Sequence, residues 1–161
     1  MLAAYNWFLA HLGQSPEESI EKAFEMVQKA LSVDESDATS LALLSSIYVV
    51  MRQYEKAIDA GERSIALAPN ASVGYGNLGS TLCYAGRIDE GIDILKQGIR
   101  LNPFPDQLFF LNLGRCNRQR GQYEEALIAY KKALSLSPNN IFNHMSLAAI
   151  YALLDRQGEA E

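Results

Sequence analysis

Apolar residues recur at helical spacing through most of the chain, with polar residues between them. From Tyr75, large side chains recur three and seven residues later, at Leu78 and Leu82, and this spacing puts them on one stripe of a helix. Gly79 lies beside the stripe, where the absence of a side chain allows a second helix to pack closely. Gly86 interrupts the spacing before a second apolar stripe begins, so the pattern predicts two helices joined by a tight turn.

This helix pair recurs along the chain at an almost constant interval. Pro69 and Pro103 end two successive copies and are 34 residues apart, whereas Pro138 follows after 35. We assign the extra residue to the connection 104–106. The copies predict nine helical segments and no strand, near 2–12, 16–32, 38–51, 54–67, 72–85, 88–101, 107–120, 123–136 and 140–154, with a tenth starting at Gln157.

The order of residue types within each copy resembles the tetratricopeptide repeat: a large residue, Leu-Gly, a second large residue, a small residue and Pro. The resemblance covers essentially the whole chain. Residues 1–37 form a degenerate repeat, 38–71, 72–105 and 106–140 form repeats, and 141–161 form a truncated repeat. The resemblance implies one all-α array over 1–161, a right-handed superhelical solenoid of stacked antiparallel helix pairs with a concave groove.

Two features of the repeats predict local weaknesses. Gly91 and Gly98 fill positions that usually hold Ala, and a mid-helix Gly costs about 0.5–1 kcal/mol relative to Ala. We therefore expect this repeat to be the loosest and Gly98→Ala to be neutral or stabilising. The truncated repeat is expected to leave Leu147, Ile150 or Leu154 uncovered. Such an uncapped C-terminal end predicts a fragment of a longer protein, with a surface for homo-oligomer contact.

Composition and charge narrow the function classes. Apolar residues make up 48% of the 161 residues and charged residues 20%, which is typical of a folded chain. The net charge of −5 argues against nucleic-acid binding, which needs basic surface. The apolar runs 1–10 and 41–51 are too short to span a bilayer, and no basic region precedes the first, so we expect neither membrane insertion nor a signal peptide.

The residues with possible chemistry favour no enzyme. The glycines of 74–79 match a dinucleotide-binding pattern, but they fall inside a helix and no strand precedes them. His11 and His144 are isolated and are interpreted as packing residues. Cys83 and Cys116 lie on separate helices without metal-ligand spacing, so we interpret them as reduced residues of a cytoplasmic protein, while a periplasmic setting stays open. We expect no catalytic residue, no metal and no cofactor.

The resemblance to tetratricopeptide proteins implies a ligand-binding groove along the inner face of the first helices. Extended peptides or helices of partner proteins bind there in that family. The candidate groove residues are Asn77, Ser80, Tyr84, Leu108, Asn112, Arg115, Arg118, Phe142 and Met145. Asn77 and Asn112 occupy the same position in adjacent repeats and offer donors and acceptors to a peptide backbone. Arg115 and Arg118 share one helix face, and two guanidinium groups favour a carboxylate.

Two functions stay open at this point. The first is a non-catalytic module that binds a protein or peptide segment in its groove, and the second is a structural module that pairs attached domains through the array ends. The segments 59–70, 82–87 and 99–103 are similar to the C-terminal arrays of bacterial class III adenylate or guanylate cyclases. This similarity implies a signalling protein, although no cyclase catalytic residue is present in the sequence.

Overall fold

The structure, a computed structural model, describes residues 16–154, and every regular element in this range is a helix. The helices are α1 (Pro16–Val33), α2 (Ala38–Val50), α3 (Tyr54–Leu67), α4 (Ser72–Tyr84), α5 (Ile88–Leu101), α6 (Gln107–Gln119), α7 (Tyr123–Leu136) and α8 (Ile141–Leu153). Their bounds agree with the predicted segments to within one residue. The predicted helices at 2–12 and from Gln157 lie outside the described residues.

Side-chain caps determine where several first helices begin. Asp37, Asp106 and Asn140 precede α2, α6 and α8, and each accepts a hydrogen bond from a backbone N–H two residues further on. The three donor–acceptor distances are 3.0, 2.8 and 2.9 Å. Each cap satisfies a backbone donor that would have no partner in the first turn of the helix. The inter-repeat connections therefore stop one helix and start the next within a few residues.

The turns inside the repeats have a left-handed backbone conformation. Gly86 and Gly121 adopt φ of 85° and 82° between the helices of two pairs. Arg52 adopts φ of 58° at the equivalent turn between α2 and α3. The glycine positions identified in the sequence are thus positions where a side chain is disfavoured.

The helices form two layers. The pairs α2–α3, α4–α5 and α6–α7 pack as antiparallel hairpins, and α3, α5 and α7 each also pack on the first helix of the following repeat. The first helices α2, α4, α6 and α8 are successive neighbours in one layer. This arrangement confirms the all-α solenoid of stacked helix pairs.

Gly98 is a site of close packing, which contradicts the expected benefit of an alanine there. A Cβ atom at Gly98 would lie 2.5 Å from the Phe109 ring and 2.8 Å from Tyr75 Cβ. Gly91 is equally restricted, because a Cβ atom there would lie 2.5 Å from Cys83 Sγ and 2.7 Å from a backbone oxygen. The expectation of a loose repeat was wrong, since these glycines allow α5 to approach α4 and α6.

The face of α8 that we expected to be uncovered is mostly buried. Leu147 and Ile150 belong to a core cluster with Ala126 and Tyr130 of α7, and Leu154 packs against this cluster. The large apolar residues that α8 exposes are instead Ile141, Phe142, Met145 and Leu153. The prediction of exposed apolar surface on α8 therefore named the wrong residues.

His144 has a polar role rather than the packing role expected from the sequence. It is exposed, and its Nε2 lies 2.7 Å from the Pro138 carbonyl oxygen, to which it donates a hydrogen bond. Tyr75 occupies the equivalent position and donates through its hydroxyl to the Pro69 carbonyl at 2.9 Å. The two side chains thus fasten the start of a first helix to the preceding connection in the same way.

Cys83 and Cys116 form a disulfide between α4 and α6, so the interpretation of both as reduced residues was wrong. Their Cα atoms lie 5.7 Å apart, and 33 residues separate them in sequence. Only 3% of Cys83 and 1% of Cys116 is exposed, and both belong to a core cluster with Ile92, Leu95 and Phe109. Their separation is close to the repeat period, which brings them to similar heights on neighbouring first helices.

Candidate functional site

The nine candidate groove residues lie on three neighbouring first helices. α4 carries Asn77, Ser80 and Tyr84, α6 carries Leu108, Asn112, Arg115 and Arg118, and α8 carries Phe142 and Met145. Tyr84, Leu108, Arg118, Phe142 and Met145 are exposed, and the other four are half-buried.

Tyr84 and Arg115 form the closest side-chain pair among these residues. The Arg115 guanidinium donates a hydrogen bond from Nη1 to the Tyr84 hydroxyl. Its central carbon also lies 5.0 Å from the centre of the Tyr84 ring, which is within the range of a cation–π contact. The pair connects the C-terminal end of α4 to the middle of α6.

Tyr130 of α7 extends this cluster into the core. It is 2% exposed, and its ring fills the space that Gly114 of α6 leaves open. Burial raises the pKa of the Tyr130 hydroxyl, whereas the charges of Arg118 and Arg115 and a hydrogen bond with Arg118 act in the opposite direction. Arg118 is therefore close to Tyr130, and the two arginines and two tyrosines form one group.

Arg115 and Arg118 differ from several arginines elsewhere in the array. Arg63, Arg87 and Arg120 each pair with a carboxylate, with N–O distances of 3.9, 2.6 and 3.0 Å. Between residues 16 and 154, no carboxylate forms a salt bridge with Arg115 or Arg118. Within the described residues, the Arg115 guanidinium contacts the ring and the hydroxyl of Tyr84.

The two asparagines do not form a continuous ladder with each other. Asn77 Oδ1 accepts a hydrogen bond from Ser46 Oγ of α2 at 3.1 Å, so part of this amide joins two repeats. Asn112 is half-buried at the equivalent position of α6, and Ser80 takes the place that Ser46 has one repeat earlier. No hydrogen bond joins Ser80 to Asn112 in the described part of the chain.

Apolar side chains flank the cluster on the N-terminal side of the first helices. Val73, Leu108 and Phe142 occupy equivalent positions and are 45%, 52% and 41% exposed, and Met145 is 60% exposed. Leu108 precedes Arg115 by seven residues of α6, which corresponds to about 10 Å along the helix axis. One edge of this surface is therefore apolar, and the other is cationic and aromatic. A single peptide segment is long enough to contact both edges.

Sequence reasoning missed the roles of four residues. Tyr130 lies on a second helix, α7, and the candidate groove residues were taken from first helices alone. Ser46 is not one of the nine candidate groove residues, and the two cysteines were assigned no bond. The two cysteines are 33 residues apart, which is close to the repeat period, and this separation is the signal that could have indicated the disulfide.

Two kinds of feature are absent from the described range. In residues 16–154, no three or more His, Cys, Asp or Glu side chains gather where they could hold a metal ion. None of the helices there has both the length and the apolar composition needed to cross a membrane.

Residues 109–140 match the family model described as "Tetratricopeptide repeat". The chain is 32% identical over 98 residues to the Small glutamine-rich tetratricopeptide repeat-containing protein 2 of Mycosarcoma maydis, which covers 61% of this chain and 28% of that protein. It is 27% identical over 155 residues to the Protein O-mannosyl-transferase TMTC1 of Homo sapiens, covering 94% of this chain and 17% of that protein. The chain thus spans less than a third of the length of these relatives.

A solved structure has a similar fold. The crystal structure of TTC0263, a thermophilic TPR protein of Thermus thermophilus, superimposes with a TM-score of 0.81 at 20% identity and covers 98% of this chain and 86% of that one. This likeness concerns the fold alone. Residues 109–140 thus match one tetratricopeptide repeat (TPR), and the described helices share the solenoid fold of a TPR protein.

Proposed function

We propose that the array is a non-catalytic interaction module that binds an extended segment of a protein partner along the inner face of its first helices. TPR proteins form a general family of protein-interaction modules and are generally non-catalytic scaffolds. The observation that carries the proposal is the position of Arg115 and Arg118 on one helix, where Arg115 is oriented by Tyr84 and, in residues 16–154, neither arginine forms a salt bridge.

The chemistry of this group favours an anionic ligand atom. Arg presents several N–H donors in a planar arrangement that matches a carboxylate, and such charge-assisted bonds are stronger than neutral ones. The exposed apolar residues Val73, Leu108, Phe142 and Met145 offer contact surface to hydrophobic side chains of the same ligand. An extended segment rises about 3.3 Å per residue, so roughly three of its residues match the spacing of about 10 Å between neighbouring helices. The expected ligand therefore combines an acidic residue or a C-terminal carboxylate with hydrophobic residues a few positions away.

The test selects a ligand first and then removes the arginines. Random twelve-residue peptides displayed on phage are selected on the full chain, and the affinity of a chosen synthetic peptide is measured by calorimetry. Arg115→Ala/Arg118→Ala should weaken binding by about tenfold or more, since each tenfold corresponds to 1.4 kcal/mol, and should reduce its salt dependence. Lys96→Ala/Arg100→Ala removes the same charge from the exposed face of α5 and should leave binding unchanged.

The opposite pattern would overturn the proposal. If the selected peptides bind the Arg115/Arg118 variant as tightly as the wild type, and lose affinity on the Lys96/Arg100 variant, the groove is not the working surface. Far-UV circular dichroism of each variant shows whether the array is still folded.

A second candidate function is the pairing of attached domains through the array end. The observation in its favour is the apolar surface of α8, where Ile141 is 63% and Met145 60% exposed. Sedimentation equilibrium should then show a concentration-dependent dimer that Ile141→Glu abolishes and Arg115→Ala/Arg118→Ala leaves intact. A monomer at all concentrations would eliminate this candidate.

The compartment and the attached domains are also matters of proposal. The cytoplasmic location was inferred partly from two reduced cysteines, and the disulfide contradicts that basis, because such bonds persist mainly in oxidising compartments. Attachment to a bacterial class III cyclase rests on the similarity of 59–70, 82–87 and 99–103 alone. The domains encoded on either side of this stretch test it, and a gene without a cyclase domain would end that proposal.

A further inference from the structure

The disulfide and the Tyr84–Arg115 pair are direct neighbours in sequence. Cys83 precedes Tyr84 on α4, and Arg115 precedes Cys116 on α6. Successive residues of a helix point about 100° apart, so each helix directs its cysteine into the core and the adjacent residue towards the groove. The covalent bond and the Tyr84–Arg115 contact therefore join the same two helices at the same height, one on the buried side and one on the exposed side.

We propose that the Cys83–Cys116 disulfide is the positioning element of the groove site, so that binding at Arg115 and Arg118 depends on the oxidised state of the chain. This inference rests on the proposed function for its ligand. The effect of the disulfide on Arg115 itself does not depend on the proposed function.

The packing around the sulfur atoms explains why loss of the bond would act on the helix spacing. Two thiols need van der Waals separation where a disulfide has bonding distance. Cys83 cannot withdraw towards α5, because its Sγ atom already lies where a side chain on Gly91 would be. Cys116 is 1% exposed and packs in the core cluster with Phe109 and Leu95. Two thiols therefore press α4 and α6 apart. Two alanines instead leave a void that the helices tend to close, so either change alters the spacing of α4 and α6.

Such a movement acts directly on the groove. The Arg115 guanidinium is held by one hydrogen bond and one ring contact, both to Tyr84 on the other helix. A shift of α4 against α6 of about an ångström is enough to lose a hydrogen bond, whose strength falls steeply with distance and angle. Arg115 would then sample several rotamers, and a ligand would have to order it on binding.

The redox step itself is a two-electron thiol–disulfide exchange. The Cys83 thiolate attacks a low-molecular-weight or oxidoreductase disulfide and releases one thiolate, and the Cys116 thiolate then attacks the Cys83 sulfur and releases the second. The two cysteine protons end on the two released thiolates, so two protein thiols and one external disulfide give one protein disulfide and two external thiols. Because both cysteines are buried, the exchange requires α4 and α6 to be apart. The compartment in which the chain folds therefore determines the redox state of the two cysteines.

The first experiment observes Arg115 without any ligand. The chain is labelled with ¹⁵N-arginine, and the Nε–H signals are compared between the oxidised wild type and Cys83→Ala/Cys116→Ala. The Arg115 signal, assigned through its loss in Arg115→Lys, should move towards the position of free arginine in the alanine variant. The Arg63 signal should stay, because its ion pair with Asp59 lies within α3.

The second experiment measures binding with the synthetic peptide obtained from the phage selection. Its affinity should fall by about fivefold to tenfold in the alanine variant, in line with the cost of ordering a side chain on binding. The wild type held in dithiothreitol after refolding as the dithiol should show the same loss. This reduced sample decides the matter if the alanine variant has lost its helical circular dichroism signal.

The outcomes separate the two proposals. An Arg115 signal and a peptide affinity that are unchanged without the disulfide overturn the positioning role, even when the arginines are essential for binding. A moved Arg115 signal with a peptide that never required the arginines supports the positioning role and overturns the groove function.

Discussion

The α2–α4 and α4–α6 junctions are joined by different kinds of bond, and one position of the repeat, Thr81 in α4 and Cys116 in α6, takes part in both. At the α2–α4 junction, Ser45 Oγ and Thr81 Oγ1 lie 3.0 Å apart in the core. At the α4–α6 junction, the equivalent of Thr81 is Cys116, which is bonded covalently to Cys83. Both pairs are buried, so one junction depends on a reversible neutral hydrogen bond and the other on a covalent bond.

The side chains that face the groove also differ between the two junctions. Ser46 of α2 donates to Asn77 of α4 at 3.1 Å, which joins two neutral groups. Arg115 occupies the position of Ser46 two repeats later, and it brings a positive charge to Tyr84. The repeat geometry sets the spacing of the helices at both places. A few side chains at equivalent positions then decide whether a junction only joins repeats or also presents charge to a ligand.

The largest expected effect comes from removing the covalent bond that distinguishes the α4–α6 junction from the α2–α4 junction. Cys83→Ala/Cys116→Ala removes a cross-link between residues 33 apart in sequence, and loop-closure entropy predicts a loss of about 3–4 kcal/mol in the free energy of unfolding. Alanine is chosen because serine would add buried hydroxyl groups. Urea denaturation of the oxidised wild type and the variant measures the difference, and equal midpoints would contradict the prediction.

A smaller loss is expected from crowding the same junction. Gly98→Ala places a Cβ atom where the Phe109 ring and Tyr75 Cβ already lie, at 2.5 and 2.8 Å. The Phe109 ring also covers Gly76 at 3.1 Å from an added Cβ, so it has little room to turn. Overpacking of this kind should cost about 1–3 kcal/mol, which exceeds the gain in helix propensity.

Gln97→Ala is the matched control for this substitution. Gln97 is exposed on the same helix, so the change to alanine tests helix propensity without the contact to Phe109 and should leave stability nearly unchanged. A stabilised Gly98→Ala variant would restore the original expectation of a loose repeat.

The helices could be predicted closely from the sequence because the signals are local. Apolar spacing, turn glycines and the prolines that end each copy all act within a few residues, and they gave the bounds of α3, α5 and α7 without error. The candidate site could be predicted only as a set of positions. Tyr84 and Arg115 were both named, but their mutual contact depends on how far α4 lies from α6.

The errors have a common physical cause. Gly98 was judged by helix propensity, a property of its own helix, whereas its environment is determined by Phe109 from the next repeat. Cys83 and Cys116 were judged by the absence of metal-ligand spacing, whereas their pairing results from the register of two parallel helices. Leu147 and Ile150 were assigned to an open face, although α7 covers them. Contacts between repeats decide all three cases, and a single repeat pattern does not contain them.

The smallest expected effect tests whether the α2–α4 junction needs its buried hydrogen bond. Ser45→Ala leaves the Thr81 hydroxyl in a fully buried position without its partner, because Ser45 is the group to which it is bonded. The unpaired hydroxyl should cost about 1–2 kcal/mol in the free energy of unfolding. In Ser45→Ala/Thr81→Val both hydroxyls are absent and the shape of threonine is kept, so the double variant should be close to the wild type. A double-mutant cycle by urea denaturation gives the coupling between the two residues. If the loss in the free energy of unfolding of the double variant equals the sum of the two single losses, the hydroxyls act independently. The α2–α4 junction then does not depend on their hydrogen bond in the way that the α4–α6 junction depends on its disulfide.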